Sequence, residues 1–421
     1  MRSHLLRFFR TLGPGLITGA SDDDPSGIST YSVAGASAGY SMLWLTLITT
    51  PMMAVIQGMC ARIAMVSGQG LASLMRKQLP RPLVFGLAAL VVVANTFNIG
   101  ADLGGMGAAA HMVAPVPGEA WTVIFGVALI IAQIRFSYEQ IARICKWLTL
   151  SLFAYVVTAF VVHPPWAHVV LHLFVPEIHL DSGWLSTMVG VLGTTITPYL
   201  FFWQSSLMVE EEKSHGHTTL ASRRGTSTDA IRDAHADINA GMIYSNVVAF
   251  FIIVTTASTL GAHGKHGIET AQQAAEALRP LAGNFAALLF TLGMVGTGIL
   301  AVPVLACSSA YVVSETFRFR EGLSERFLSA PQFYLVIIAG IVIGIAIDLL
   351  RVDPIKALFW SAVLNGVAAV PLLAVIVWLA SNAKIMGKWR SSPLARAWGW
   401  GTVALMTCAS LGMFYFIARG S

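Results

Sequence analysis

Charge is what this chain has least of. Asp, Glu, Lys and Arg make up 11% of its 421 residues, where soluble domains carry roughly a quarter. With 56% hydrophobic residues, that scarcity excludes an ordinary soluble globular protein and points to a polytopic helical membrane protein. Cysteine is nearly absent too. Cys60, Cys145, Cys307 and Cys408 stand singly in apolar segments, with neither disulfide nor metal-ligand spacing, so they read as small core or lipid-facing residues. The net charge of +5 comes from scattered loop Lys and Arg, which excludes a nucleic-acid partner. The chain also has no intramembrane Ser/His pair, no two-His metal motif and no nucleotide loop, so a membrane-embedded enzyme is disfavoured.

What remains is a series of apolar segments of spanning length, a helix needing about 20 residues to cross the hydrocarbon core. Eleven are expected, at roughly 12–38, 41–66, 84–113, 119–136, 146–163, 185–209, 238–262, 283–313, 332–350, 355–380 and 398–418. Lys and Arg concentrate in alternate connections: Arg76 and Lys77, Arg143 and Lys146, Lys213 to Arg232, Arg318 to Arg326, and Lys384 to Arg396. Their bias predicts a cytoplasmic N-terminus and a C-terminus outside, in a bacterial-type inner membrane. Trp44, Trp121, Trp184 and Trp360 fall near predicted span ends and read as interfacial anchors.

Two spans are interrupted. Asp22-Asp23-Asp24-Pro25-Ser26-Gly27 breaks the first, and Thr194-Thr195-Ile196-Thr197-Pro198 breaks the sixth. Carboxylates, Pro and Gly at membrane depth are costly unless they line a protected cavity. Paired broken helices in corresponding positions point to a transporter's binding site. Spans one to five (11–163) and six to ten (185–380) then form an inverted repeat within one transmembrane domain (1–421), because five is odd. The eleventh span (398–418) lies outside the repeat. Pro25 and Pro198 each remove a backbone donor and free carbonyls, notably that of Thr194. Asp24 supplies a carboxylate and Thr197 a hydroxyl. An acidic break facing a neutral-oxygen break suits a hard cation, with Asp22 and Asp23 shaping an entrance or holding water.

The order and spacing of several motifs resemble the NRAMP family of divalent-metal transporters. Gly13-Pro14-Gly15 followed by Asp24-Pro25 resembles that family's opening and first break. Gln57 to Arg62 with Val66 to Ala72 resembles its second helix and following loop, and Ser381 to Gly387 the loop after its tenth. The resemblance implies an all-α, LeuT-like fold and a transition-metal site made by the first-break Asp, an Asn, a carbonyl and a Met thioether. The chain departs from that pattern. Gly27, preceded by Ser26, replaces the Asn, Thr197 replaces the Met, and Tyr199 and Gln204 stand where the family has His.

A thioether favours softer metals over Mg²⁺ and Ca²⁺; an all-oxygen site with room for water suits Mg²⁺, which dehydrates reluctantly. This combination resembles the NRAMP-related magnesium transporters. The expected metal residues are Asp24, Gly27, Thr194 and Thr197, with Asp23, Ser26, Asn98, Asp102 and Gln204 in an outer shell. The expected cargo is partly hydrated Mg²⁺, with Mn²⁺ possible, moved by alternating access with weak or no proton coupling, in a monomer without cofactor. The alternative is a proton-coupled Mn²⁺/Fe²⁺ symporter. Asp102, an intramembrane carboxylate, adds negative potential or relays protons; the plainer reading is a carboxyl bonded to backbone. Glu210 to Glu212 with His215 and His217 reads as a solvated face.

Overall fold

A computed structural model describes residues 18–420 apart from 20, 137–149, 265–266, 269, 324 and 351. Arg2, Arg7, Arg10, Gly13 to Gly15, Arg143, Cys145 and Lys146 therefore lie outside the described residues. The fold is all-α. Its principal helices are α1 (Pro25–Ala38), α2 (Leu43–Ser67), α3 (Leu71–Gln78), α4 (Arg81–His111), α5 (Gly118–Arg135), α6 (Phe153–Val162) and α7 (Trp166–Phe174). After these come α8 (Ser182–Thr195), α9 (Pro198–Ser214), α10 (Thr228–Thr259), α11 (Ala286–Phe317), α12 (Pro331–Asp348), α13 (Pro354–Ser381) and α14 (Pro393–Arg419).

Several prolines start helices, while Pro51, Pro303 and Pro371 lie inside them. Pro25, Pro198, Pro331, Pro354 and Pro393 each occupy the first helical position, where the missing N–H would be unpaired in any case. Side-chain caps strengthen several of these starts. Asp181 caps α8, Ser227 caps α10, Asp353 caps α13 and Ser392 caps α14.

Among the described residues, nine helices are long and apolar enough to cross a membrane, with α8 and α9 together counted as one. The first and fifth expected spans are represented by α1 and α6, each preceded by residues outside the description. Burial sorts the bundle from inside to outside. The spanning window through α8 and α9 is 100% buried, whereas that of α5 is 17% buried. The polar, broken helices therefore form the centre and the uniformly apolar ones form the rim. α8 packs on α13 and on α1, α10 on α1 and α2, and α4 on α11, α12 and α13.

Two of the expected tryptophan anchors are corrected by this packing. Trp44 and Trp184 are buried at 7% and 6% exposure, and the Trp184 indole N–H donates to Ser41 Oγ at 3.0 Å. Trp360 is exposed, as an interfacial residue is expected to be.

Candidate metal centre

Residues 18, 19, 21 and 22 are helical, Asp23 bends, and Asp24 leaves the helix with φ −69° and ψ 172°. α1 then resumes at Pro25 with Asp24 as its N-cap. The carboxylate is held from three sides. Oδ1 accepts the Gly27 N–H at 2.7 Å and the Ser26 hydroxyl at 2.8 Å, and Oδ2 accepts Asn98 Nδ2 from α4 at 3.0 Å. A carboxylate offers about four lone-pair sites, so these bonds orient Asp24 and leave capacity for a cation.

At the second break α8 stops at Thr195, Ile196 and Thr197 run as extended or irregular backbone, and α9 starts at Pro198. Pro198 has no N–H to return to the Thr194 carbonyl. Among the described residues, the buried hydroxyls of Thr194 and Thr197 show no hydrogen bond. Gly27 shows where the two breaks converge. A Cβ there would sit 3.2 Å from Thr194 Oγ1, 3.4 Å from Asp24 Oδ1 and 3.5 Å from the Asp22 carbonyl oxygen. One carboxylate, one hydroxyl and one main-chain carbonyl thus face the space that glycine leaves.

The structure shows what the expected site residues touch. Gly27 gives its N–H to Asp24 and leaves room beside Thr194. Ser26 orients Asp24 directly, and so does Asn98. Asp22 and Asp23 are 0% and 1% exposed, and Ser245 Oγ on α10 lies 2.8 Å from Asp22 Oδ2 and 3.0 Å from Asp23 Oδ1. The helix ends between them and Asp24, which turns Asp24 toward α4 while its neighbours face α10. Asp102 is fully buried one turn beyond Asn98, against the backbone N–H of Ser26. It has no side-chain partner among the described residues. Gln204 Oε1 accepts from Thr18 Oγ1 at 3.3 Å, and its amide nitrogen has no partner among the described residues.

Sequence reasoning missed two tyrosines and a carbonyl. Tyr199 Oη donates to the Ser21 carbonyl at 2.9 Å, and Tyr31 Oη lies 2.9 Å from Thr195 Oγ1. Each tyrosine follows one break and reaches the residue run before the other. The missed carbonyl is that of Asp22; a helix ending one residue before Asp24 was the signal for it. Met106, beside Pro25 against Gly298, brings a thioether near α1. Among the described residues no three His, Cys, Asp or Glu side chains are placed to hold one metal ion, so any ion here relies on main-chain oxygens, hydroxyls and water as well as Asp24.

Residues 15–416 match the Nramp model, "Natural resistance-associated macrophage protein-like". The chain belongs to the Nramp family. As an Nramp protein it is an integral membrane transporter of divalent metal cations, not an enzyme. It is 26% identical over 400 residues to the "Divalent metal cation transporter MntH" of Klebsiella pneumoniae, covering 94% of this chain and 91% of that one. Its fold is similar to the Eremococcus coleocola manganese transporter, with a TM-score of 0.75, 20% identity, and 95% and 85% of the two chains covered. It is also similar to MhsT solved in complex with L-phenylalanine, with a TM-score of 0.58, 13% identity, and 96% and 98% covered. These neighbours place this Nramp chain in the LeuT-like fold.

Proposed function

We propose that this Nramp protein carries a divalent cation that keeps part of its water shell, Mg²⁺ first and Mn²⁺ as well, by alternating access around the two breaks. One observation carries the reading. Beside the triply oriented carboxylate of Asp24 lie two buried oxygens with no hydrogen-bond partner among the described residues, Thr194 Oγ1 and Asn98 Oδ1. Buried polar atoms are normally satisfied, and the waters of a hydrated ion would satisfy these. Carboxylate, carbonyl and hydroxyl donors suit Mg²⁺, Ca²⁺ and Mn²⁺, and Mg²⁺ usually binds through one or two carboxylates with its waters retained. The Lys and Arg bias supports a cytoplasmic N-terminus in an inner membrane, with spans one to five and six to ten as inverted halves. The absence of His at 199 and 204 supports weak or no proton coupling.

The second reading is proton-coupled transport of Mn²⁺ or Fe²⁺. It is favoured by the relatives, one named a divalent metal cation transporter and one a manganese transporter. Uptake into proteoliposomes separates the two. Under the first reading, Mg²⁺ is taken up and competes with Mn²⁺; Mn²⁺ uptake indifferent to millimolar Mg²⁺ would overturn it. Metal-driven acidification of the lumen that disappears with Asp24→Ala would establish coupling and favour the second.

A further inference from the structure

The linker helix α3 and the end of α11 cap each other. Glu315, in the last turn of α11 and only 4% exposed, places Oε2 2.7 Å from the Ser73 N–H in the first turn of α3. Arg76, in the last turn of α3, donates from Nη1 to the carbonyls of Glu315 at 2.8 Å and Thr316 at 3.4 Å. An anion thus meets the positive end of α3 and a cation the negative end of α11. Gly70 permits the approach, since a Cβ there would collide with the Glu315 carboxylate.

α9 is fastened to this joint. Ser206 Oγ donates to Glu315 Oε1 at 3.3 Å, and Ser205 Oγ accepts the Leu71 N–H at 3.1 Å. Both serines directly follow Gln204, and Gln204, Ser205 and Ser206 are 1%, 0% and 3% exposed. α9 packs on both α3 and α11, so a movement of α9 away from them breaks the contacts of Ser205 and Ser206.

We propose that Glu315 is a positioning residue that latches the second half-helix, α9, to the α3–α11 joint, with Ser206 as the releasable contact. The direction of its effect on transport rests on the alternating access proposed above, so the latch needs a readout that does not depend on transport. Amide hydrogen exchange of the full chain in lipid nanodiscs supplies one.

Ser206→Ala removes the contact to Glu315 and leaves the Ser73 bond intact. Exchange across α9 is expected to rise about fivefold, with α3 unchanged and Ser206→Thr restoring the wild-type rate. Gly70→Ala, which wedges the carboxylate away, is expected to speed α3 and α9 together. Unchanged α9 exchange in Ser206→Ala overturns the latch. So does equal acceleration of α3 and α9 in that variant, which would mark general loosening. In proteoliposomes the same variant is expected to raise the KM for uptake by about fivefold with little loss of maximal rate. Faster α9 exchange with an unaltered KM supports the latch and tells against the alternating-access reading instead.

Discussion

Tyr199 and Ser21 are 178 residues apart, yet the phenol of the first donates to the carbonyl of the second at 2.9 Å. Tyr31 and Thr195 repeat the arrangement in the opposite sense at 2.9 Å. Each tyrosine sits in the helix that resumes after one break and holds the strand of chain that enters the other. The two breaks are therefore braced against each other as well as facing a common space. A Tyr hydroxyl is suited to the task because its rigid ring is buried apolar surface and its tip is a single donor.

Removing one brace should weaken the fold and the site together. Tyr199→Phe keeps the packing and deletes the donor to the Ser21 carbonyl. A loss of about 1–3 kcal/mol is expected for a buried hydrogen bond of this kind, read as a lower thermal midpoint in detergent with a matching fall in uptake. Tyr31→Phe should act in the same direction. A wild-type midpoint in both variants would remove the bracing role.

In the proposed site, Asn98 would act on the cargo through Asp24. Its amide holds Oδ2 at 3.0 Å, and partners that orient a metal ligand are typically worth 10–100-fold in affinity or activity. Asn98→Ala is expected to lower apparent Mg²⁺ affinity by about tenfold, measured by isothermal titration, while Asp24→Ala abolishes binding. Equal affinity in Asn98→Ala and wild type would show that the other two donors suffice.

Selectivity should follow two side chains that are small here. Thr197→Met adds a thioether where the Thr hydroxyl shows no hydrogen bond among the described residues, and is expected to shift uptake from Mg²⁺ toward Mn²⁺ and softer metals. Gly27→Asn fills the space bounded by Thr194, Asp24 and the Asp22 carbonyl, and should penalise Mg²⁺ most because that ion gives up water least readily. An unchanged ratio of Mg²⁺ to Mn²⁺ uptake in both variants contradicts the hydrated-ion site.

A pH effect on stability is expected from outside the spans. Glu321, in the connection between α11 and α12, is pushed up from 4.5 to about 9, first by burial and then by the neighbouring Glu315. Between those values the folded chain holds a proton that the unfolded chain releases. Stability therefore falls as pH rises across that window. Glu321→Gln should flatten the decline in thermal midpoint between about pH 6 and pH 8; a slope identical to wild type would assign it to another group.

The break at Asp24 was legible because Pro, Gly and carboxylates at membrane depth have few tolerable explanations. The breaks at Asp24 and at Ile196 and Thr197 follow from that logic. In the Glu210 region, Glu211, His215 and His217 are exposed, as a solvated face is expected to be. Glu210 is instead a partly buried partner of Lys213 at 2.7 Å, lying against Gly322. That Ser26, Gly27 and Asn98 all donate to the Asp24 carboxylate was not legible. Orientation of a carboxylate depends on which donor reaches which oxygen, and hydropathy carries no information about that.

Local chemistry in the sequence determined that this chain lives in a bilayer and that two of its helices must open. Those conclusions follow from lipid's inability to satisfy an exposed backbone or charge. Tertiary structure alone decided that Asn98 orients Asp24, that Asp22 and Asp23 turn instead to Ser245, that Tyr31 and Tyr199 brace the two breaks, and that Glu315 holds α9. Each of these is a single hydrogen bond whose worth depends on angstrom-scale geometry and burial, between residues of different helices. No periodicity along the chain encodes such a pairing.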